Sequence, residues 1–462
     1  MPKQKHLERA LAEGRISRRE FAKQMSALGL AAAVPGAFFS ASALAATPKK
    51  GGHFRLGLGH GSTTDSLNPA TYLDTYMQVV GNGLRNALTE VNPENELIPE
   101  LAESWEASPD AVTWTFKLRK GVEFHNGKTL DSDDVVASIN HHRSEESESA
   151  AKAILKPLAD VKKDGKETVV FTLNEGNADF PYILSDYHLD MMPAKDGKVD
   201  WKSGIGTGAF TLQSYEPGVR TSLKRNPNYW KQGRGHFDSA EVIVISDVAA
   251  RTNALNTGEI DAMDRCDIKT LHLLKRNKNI EIIETSGNAH YTFAMLTDLS
   301  PFDNNQVRLA LKHGLDRKAL LQTILRGHGY LGNDHPIGRA NRFLAEDIPQ
   351  REYDLDKAKF HLKKAGMSSL KVDLSAADAA FAGAVDAAVL YKEHAAKAGI
   401  EINVVREPND GYWSNVWLKK PWCAVYWGGR ATEDWMFSIA YATGAPWNDT
   451  HWEHARFNEL LV

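Results

Sequence analysis

The chain has 462 residues, 42% of them apolar and 25% charged, with a net charge of -4. This length is too great for one simple core and sets an expectation of two or three domains of ordinary globular composition. The basic residues are scattered and not interleaved with aromatics, which argues against a nucleic-acid-binding surface.

The chain opens on a twin-arginine pattern, Ser17-Arg18-Arg19-Glu20-Phe21-Ala22-Lys23, followed by an uncharged Ala- and Gly-rich stretch that ends on Ala43-Leu44-Ala45. A basic start, a moderately apolar middle and a small-x-small exit read as a cleavable signal peptide over residues 1–45. A transmembrane helix is the rival reading, but Pro35, Gly36 and the Ser-rich end interrupt the apolar run. No cysteine stands at the cleavage site, so the expectation is a protein free in the bacterial periplasm rather than a lipoprotein. Only Cys266 and Cys423 are present; they are expected to be two free thiols, since a bridge between them would lock two lobes together.

His53 to Leu58 is expected as a strand running into Gly57, Gly59 and Gly61, and Met77 to Leu88 as a helix. Val112 to Leu118 and Glu167 to Leu173 alternate as half-buried strands. Between them Asp131 or Ser132 caps a helix carrying Val135, Val136 and Ile139 on one face. Gly204-Ile205-Gly206-Thr207-Gly208 is glycine-rich but precedes a strand, Ala209 to Leu212, so it offers no helix N-terminus to a phosphate; its glycines allow close backbone approach. Glu241 to Ser246, Glu259 to Met263, Ile280 to Thr285 and Tyr291 to Leu296 read as strands, with Val248 to Asn256 a helix and Gly287-Asn288 a hinge region.

From Asp303 onward helices dominate, capped by Asp316 and Asp354. The last part reads as strand Leu370 to Ser375, helix Ala384 to Lys397, strand Ile400 to Val404, helix Gly411 to Leu418 and strand Cys423 to Trp427. This β-α-β-α-β pattern is that of a doubly wound parallel sheet. With order 2-1-3, a ligand crevice lies between the first and third strands, flanked by Asp378 after the first and Arg430 after the third. The two could equally form a structural ion pair. Of the 11 tryptophans, Trp413, Trp417, Trp422, Trp427, Trp435, Trp447 and Trp452 crowd this region. Most are expected in the core and a few as ligand-site walls. Glu453 to Val462 reads as a helix without a stop signal, so a truncated chain is expected.

There is no His-Glu-x-x-His, Gly-x-Ser-x-Gly or Cys-x-x-Cys, and His141-His142 are adjacent and so poor co-ligands on a helix. An enzyme is unsupported; a hydrolase of the same ligands is the remaining catalytic reading. No metal or other cofactor is expected.

Several runs resemble the family-5 solute-binding proteins of ABC transporters, the peptide, nickel and oligosaccharide group. They are Trp114-x-Phe116-x-Leu118-Arg119-x-Gly121-Val122-x-Phe124-His125-Asn126-Gly127-Lys128 with Asp133-Asp134-Val135, Gly206-Thr207-Gly208-Ala209-Phe210, and Arg225-Asn226-Pro227-Asn228-Tyr229-Trp230. Gly258-Glu259-Ile260-Asp261, Pro301-Phe302-Asp303-Asn304 and Tyr353-Asp354-x-x-Lys357-Ala358 extend the likeness along the mature chain. The resemblance implies an α/β, two-lobe periplasmic binding protein of type II, cluster C-like, with an extra subdomain inserted in the first lobe. Lobe 1 is expected over 46–286, its inserted subdomain over roughly 75–200, and lobe 2 over 287–462. It also implies a small-molecule ligand between the lobes, an inner-membrane ABC permease with its ATPase as partners, and a monomer. In dipeptide-binding members an aspartate after Trp-x-Gly holds the ligand's ammonium, and an arginine after an earlier strand its carboxylate. Here Arg430 follows Trp427-Gly428-Gly429 and Asp378 falls near the arginine position, so the charges are exchanged. The expected ligand therefore places an anionic group at Arg430 and a cationic or hydroxyl group at Asp378. Trp413, Trp427 and Trp435 would be walls, Gly428 would lie beside the ligand, and His60, Ser62 and Thr63 would be contacts from lobe 1. An oligosaccharide ligand is the alternative.

Overall fold

The computed structural model describes residues 48–93, 95–285 and 287–461. The twin-arginine pattern and the Ala43-Leu44-Ala45 exit lie outside the described residues. Gly51–Val462 forms one compact unit.

Two α/β lobes carry the principal sheets. The first lobe holds a five-stranded sheet in the order Phe210–Glu216, Arg220–Arg225, Ser239–Val244, His53–Leu58, Ala262–Met263. His53–Leu58 is parallel to both of its neighbours. The inserted subdomain is an antiparallel sheet of Ala102–Ala107, Thr113–Leu118, Thr168–Leu173 and Leu158–Lys163. Its alternation is that of a sheet with one covered face: Trp114, Phe116 and Leu118 are buried while Lys117 is exposed. Helix Ser132–His141 packs on this sheet and begins at a capping box formed by Asp131 and Asp134.

The second lobe holds the sheet His290–Met295, Trp422–Trp427, Leu370–Ala376, Ile400–Arg406. The last three strands have the expected 2-1-3 order and are parallel. His290–Met295 adds an antiparallel edge beside Trp422–Trp427. Helix Leu355–Lys364 starts at Asp354, whose carboxylate accepts from Lys357 N at 2.9 Å, and buries Ala358 and Leu362.

The strand expected over Glu259 to Met263 contracts to Ala262–Met263, and three other expected elements differ further. Ile280 to Thr285 alternates like a strand but finds no ladder partner among the described residues, and Ile283 is 80% exposed. A strand needs a neighbour as well as a pattern. The helix expected over Gly411 to Leu418 contracts to Tyr412–Asn415, because Leu418 takes a positive φ of 61° and breaks the turn. The first helix is Thr75–Leu84, four residues shorter at its end than expected, because Arg85 is extended and leads toward Thr89–Val91. Cys266 and Cys423 are free thiols.

The Gly204–Gly208 run works through backbone contact. A Cβ on Gly206 would sit 2.1 Å from Leu84 O, and one on Gly208 2.4 Å from the Leu84 carbonyl carbon. Gly206→Ala is therefore expected to destabilise the protein by about 1–3 kcal/mol through overpacking, read as a lower urea midpoint at unchanged slope.

Candidate functional site

The strand Trp422–Trp427 is buried throughout apart from Tyr426, as befits a strand covered on both faces. It stops at Gly428-Gly429. A Cβ on Gly429 would lie 2.7 Å from Asn288 Cβ, so the close passage of the two segments requires glycine there. The side-chain amides of Asn288 and Asn341 each donate to Arg430 O at 3.3 Å and fix its peptide. Thr432 then caps the helix Glu433–Ala440 by accepting from Trp435 N.

The Arg430 side chain folds back into the protein and is 6% exposed. Its Nη1 donates to Gly428 O at 3.0 Å, and its guanidinium lies between the rings of Tyr187 and Trp435, 5.7 and 5.5 Å from their centroids. The nearest anion is Asp186, whose Oδ2 is 4.0 Å from Nε. Nε itself has no hydrogen-bond partner.

Asp186 is heavily engaged. Oδ1 accepts from His188 Nδ1 at 2.5 Å and from His188 N at 2.9 Å, and Oδ2 accepts from Trp435 Nε1 at 3.0 Å. Burial alone would push this carboxyl up, but the charges and hydrogen bonds of His188, with Arg430 behind them, outweigh it and hold the group at about 2.

Beside Arg430 lies a small, partly open cavity of about 30 Å³, lined by Leu73, Gln78 and Tyr187 on one side and by Trp413, Trp417, Tyr426, Trp427, Gly428, Arg430 and Trp447 on the other. The indoles brace one another edge to face: Trp447 against Trp417 and Trp427 at 5.4 and 6.0 Å, Trp413 against Trp417 at 5.7 Å. Asp449 Oδ2 accepts from both Trp417 Nε1 and Trp427 Nε1, at 3.0 and 3.1 Å, and fixes these two walls. Burial raises the Asp449 carboxyl to about 6 in spite of those bonds.

Arg430, Trp427, Gly428 and Trp413 thus converge on one cavity, and Trp435 backs the guanidinium instead of lining the space. Asp378 does not join them. It is exposed, accepts from Gly383 N at 3.1 Å, and borders a second depression with His60, Arg251 and Arg265. The carboxylate near Arg430 is Asp186, because the loop after the first strand turns back on its own helix N-terminus while the subdomain reaches across the cleft.

The first-lobe residues hold the lobes together. His60 Nε2 is 2.9 Å from Ala379 O, and the ring lies against Tyr426, 5.1 Å between centroids. Burial, reinforced by Arg265, keeps this imidazole well below its usual range. Asp410, in the loop after Ile400–Arg406, accepts from Thr63 N at 3.1 Å, Ser62 Oγ at 3.3 Å and Thr63 Oγ1 at 3.2 Å. Asp186, Tyr187, His188, Asp410 and Asp449 have no local sequence signal. The one available hint was that clustered buried indoles need acceptors for their N–H groups.

The model for bacterial extracellular solute-binding proteins, family 5, matches residues 96–449. A heme-binding protein A of Haemophilus influenzae is 31% identical over 298 residues, covering 59% of this chain and 54% of that protein. A glutathione-binding protein of Escherichia coli K12 is 28% identical over 310 residues, covering 66% and 60%. The chain therefore spans between half and two thirds of the length of these relatives. Among solved structures, an ABC transporter-associated periplasmic binding protein of Helicobacter pylori in complex with the peptide STSA superposes with a TM-score of 0.82 at 24% identity, over 90% of this chain and 86% of that one. With the family model spanning most of the chain and the two-lobe fold shared, this protein belongs to the bacterial extracellular solute-binding proteins of family 5.

Proposed function

We propose that the protein is a periplasmic receptor that captures a small polar ligand bearing a carboxylate and delivers it to an ABC permease and its ATPase. The observation that carries this reading is Arg430: a buried guanidinium in the wall of an aromatic cavity between two lobes, with an Nε that no protein group hydrogen-bonds. Its counter-ion Asp186 is already shared with His188 and Trp435. A ligand carboxylate would complete the charge-assisted hydrogen bonding that Asp186 leaves open. Closure works by differential affinity: the ligand binds one lobe, the other adds contacts, and the closed population rises. The Asp410 contacts to Ser62 and Thr63 and the His60 contact to Ala379 are the seams of that closed state.

In this reading residues 1–45 export the protein by the twin-arginine route, with cleavage near Ala45. Residues 46–286 form lobe 1, with an inserted subdomain over roughly 75–200, and 287–462 form lobe 2. The receptor acts as a monomer and returns its ligand unchanged rather than hydrolysing it. Trp413, Trp427 and Gly428 line the ligand and Trp435 steadies Arg430. Asp378 borders the depression on the far side of His60, where it would meet a ligand long enough to reach it. Among the described residues no helix is long and apolar enough to cross a membrane.

Mass spectrometry of material co-purifying with protein released from the periplasm should identify an intact carboxylate-bearing ligand. Calorimetry with that molecule should show Arg430→Ala weakening binding by about a hundredfold, within the range for truncating one side of a buried charged contact. Unchanged affinity in a variant that still unfolds cooperatively would sink the assignment.

A further inference from the structure

Resting on the reading of the two lobes as a hinged pair, we propose that Asp410 is a poised latch. It closes the cleft by capturing donors on the loop 61–64 of lobe 1, and the Asp65 and Asp74 carboxylates bound to the same loop oppose it.

The strand His53–Leu58 runs out into a loop whose successive N–H groups are each held by a different carboxylate. Gly61 N donates to Asp74 Oδ2 at 3.1 Å, Ser62 N to Asp65 Oδ2 at 2.8 Å, and Thr63 N to Asp410 Oδ1 at 3.1 Å. The first two acceptors belong to lobe 1. The third comes from lobe 2, and it also accepts from Ser62 Oγ at 3.3 Å and from Thr63 Oγ1 at 3.2 Å. One N–H and two hydroxyls of one lobe thus meet a single carboxylate of the other, and bonds to an ionised acceptor are stronger than neutral ones. The donors are braced from behind. A Cβ on Gly218 would lie 2.7 Å from Thr63 N, so the turn between Phe210–Glu216 and Arg220–Arg225 backs directly onto the loop.

Closure also brings like charges together. Asp74 is 1% exposed and is fixed as the N-cap of Thr75–Leu84, accepting from Met77 N at 3.2 Å. Burial first, and then the Asp74 charge, push the Asp65 carboxyl up to about 7; the Ser62 N–H pulls it back, and Asp410 adds to the rise. Burial raises Asp74 as well, against the N–H groups of Met77, Gly61 and Tyr76 and the charge of Arg265. Tyr76 and Tyr215 also face Asp65, and burial raises both phenols. A third carboxylate arriving at this loop therefore meets repulsion that its withdrawal relieves. The closing energy at this seam is the difference between hydrogen bonds gained and repulsion incurred. Two opposed contributions leave the lobes close to balance, where the differential affinity of a ligand decides the outcome.

The readout is hydrogen exchange of the Trp435 indole N–H, followed by nuclear magnetic resonance in the purified protein. Its acceptor, Asp186 Oδ2 at 3.0 Å, lies across the cleft, so its exchange reports opening whichever form predominates. Asp410→Ala should speed this exchange about tenfold. At pH 8, where Asp65 is ionised, Asp65→Asn should slow it about fivefold. At pH 5.5 the parent Asp65 already holds a proton, and the same substitution should change the rate by less than about twofold. In the Asp410→Ala background Asp65→Asn should act by less than about twofold at both pH values, because the repulsion it relieves is gone. His60, which burial holds well below its usual range, and Arg265, whose Nη1 is 2.6 Å from His60 Nε2, stand in the same seam. Comparing variant with parent at each pH cancels their contribution. Parent-like exchange in Asp410→Ala overturns the latch. An Asp65→Asn effect of equal size with and without Asp410 overturns the opposition, since it would then be a property of lobe 1 alone. Failure of the hinge reading looks different. Thr63→Glu sets a carboxylate against Asp410 at an exposed position; unchanged exchange in that variant means that the lobes do not part, whereas faster exchange there with none in Asp410→Ala keeps the hinge and removes the latch.

Discussion

Asp186→Ala is expected to lower the free energy of unfolding by about 3–5 kcal/mol, the cost of removing one partner from a buried ionic cluster. The carboxylate stands at the junction of two distant parts of the chain. It lies in the loop after helix Phe180–Ile183, accepts from His188 on its own loop, and accepts from Trp435 across the cleft. Both ring nitrogens of His188 face acceptors, Asp186 Oδ1 and Tyr72 O at 3.0 Å, so the ring is pinned at both ends. Deleting the carboxylate leaves that imidazole and the Trp435 N–H without their shared acceptor and the Arg430 guanidinium without its counter-ion. Asp186→Asn keeps an oxygen for Trp435 but not the charge, and should fall between the two. Urea unfolding of the three proteins measures this directly; an alanine variant within 1 kcal/mol of the parent would mean that the cluster is not energetically coupled. Because its folded-state value of about 2 lies below the ordinary 3.8, the contribution of Asp186 is complete above about pH 4 and is lost as pH falls through 2.

The sequence made some of this legible. Doubly wound order follows from alternating strand and helix patterns, and it brings Arg430 to the edge of a crevice. Helix starts at Asp131, Asp316 and Asp354 follow from side-chain capping that acts over three residues. What escaped was everything assembled between distant segments. Asp378 and Arg430 are both near the switch point, yet local turn geometry directs Asp378 to Gly383 N. Asp186 reaches Arg430 from 244 positions earlier in the chain, through a subdomain whose docking no periodicity encodes. Asp449 carries no local sequence signal, yet it is the acceptor that orients two cavity walls. Ile280 to Thr285 shows the converse, a strand pattern without a strand to pair with.

The second large effect concerns Asp190, four residues beyond Asp186 on the same supporting loop. It is 3% exposed, its Oδ2 has no hydrogen-bond partner, and it faces the charges of Arg85 and Asp186. Arg85 attracts it but gives its terminal donors elsewhere, to Leu67 O, Tyr72 Oη and Trp201 O. Burial therefore prevails over Arg85 and raises the carboxyl from the usual 3.8 to about 7. A raised folded-state value means that the folded protein holds a proton which the unfolded chain has released, over the interval between those two values. Across that interval the group makes folding less favourable by about 1.4 kcal/mol for each pH unit of increase, and above it the loss is constant. Asp190→Asn removes the titration and leaves a neutral side chain of the same shape. The stability difference between variant and parent should thus move toward the variant by about 3 kcal/mol between pH 4.5 and pH 8. This double difference cancels every other titrating group, including the buried histidines His60 and His142, which lose stability in the opposite direction as pH falls. Urea titrations of both proteins at several pH values provide the measurement, and a difference that stays flat would show that Asp190 is matched in both protonation states. The two aspartates then define the electrostatics of this loop: the contacts to His188, with Arg430 behind them, hold Asp186 ionised, while Asp190, with one partially committed cation, stays neutral in mild acid and adds no competing negative charge beneath the site.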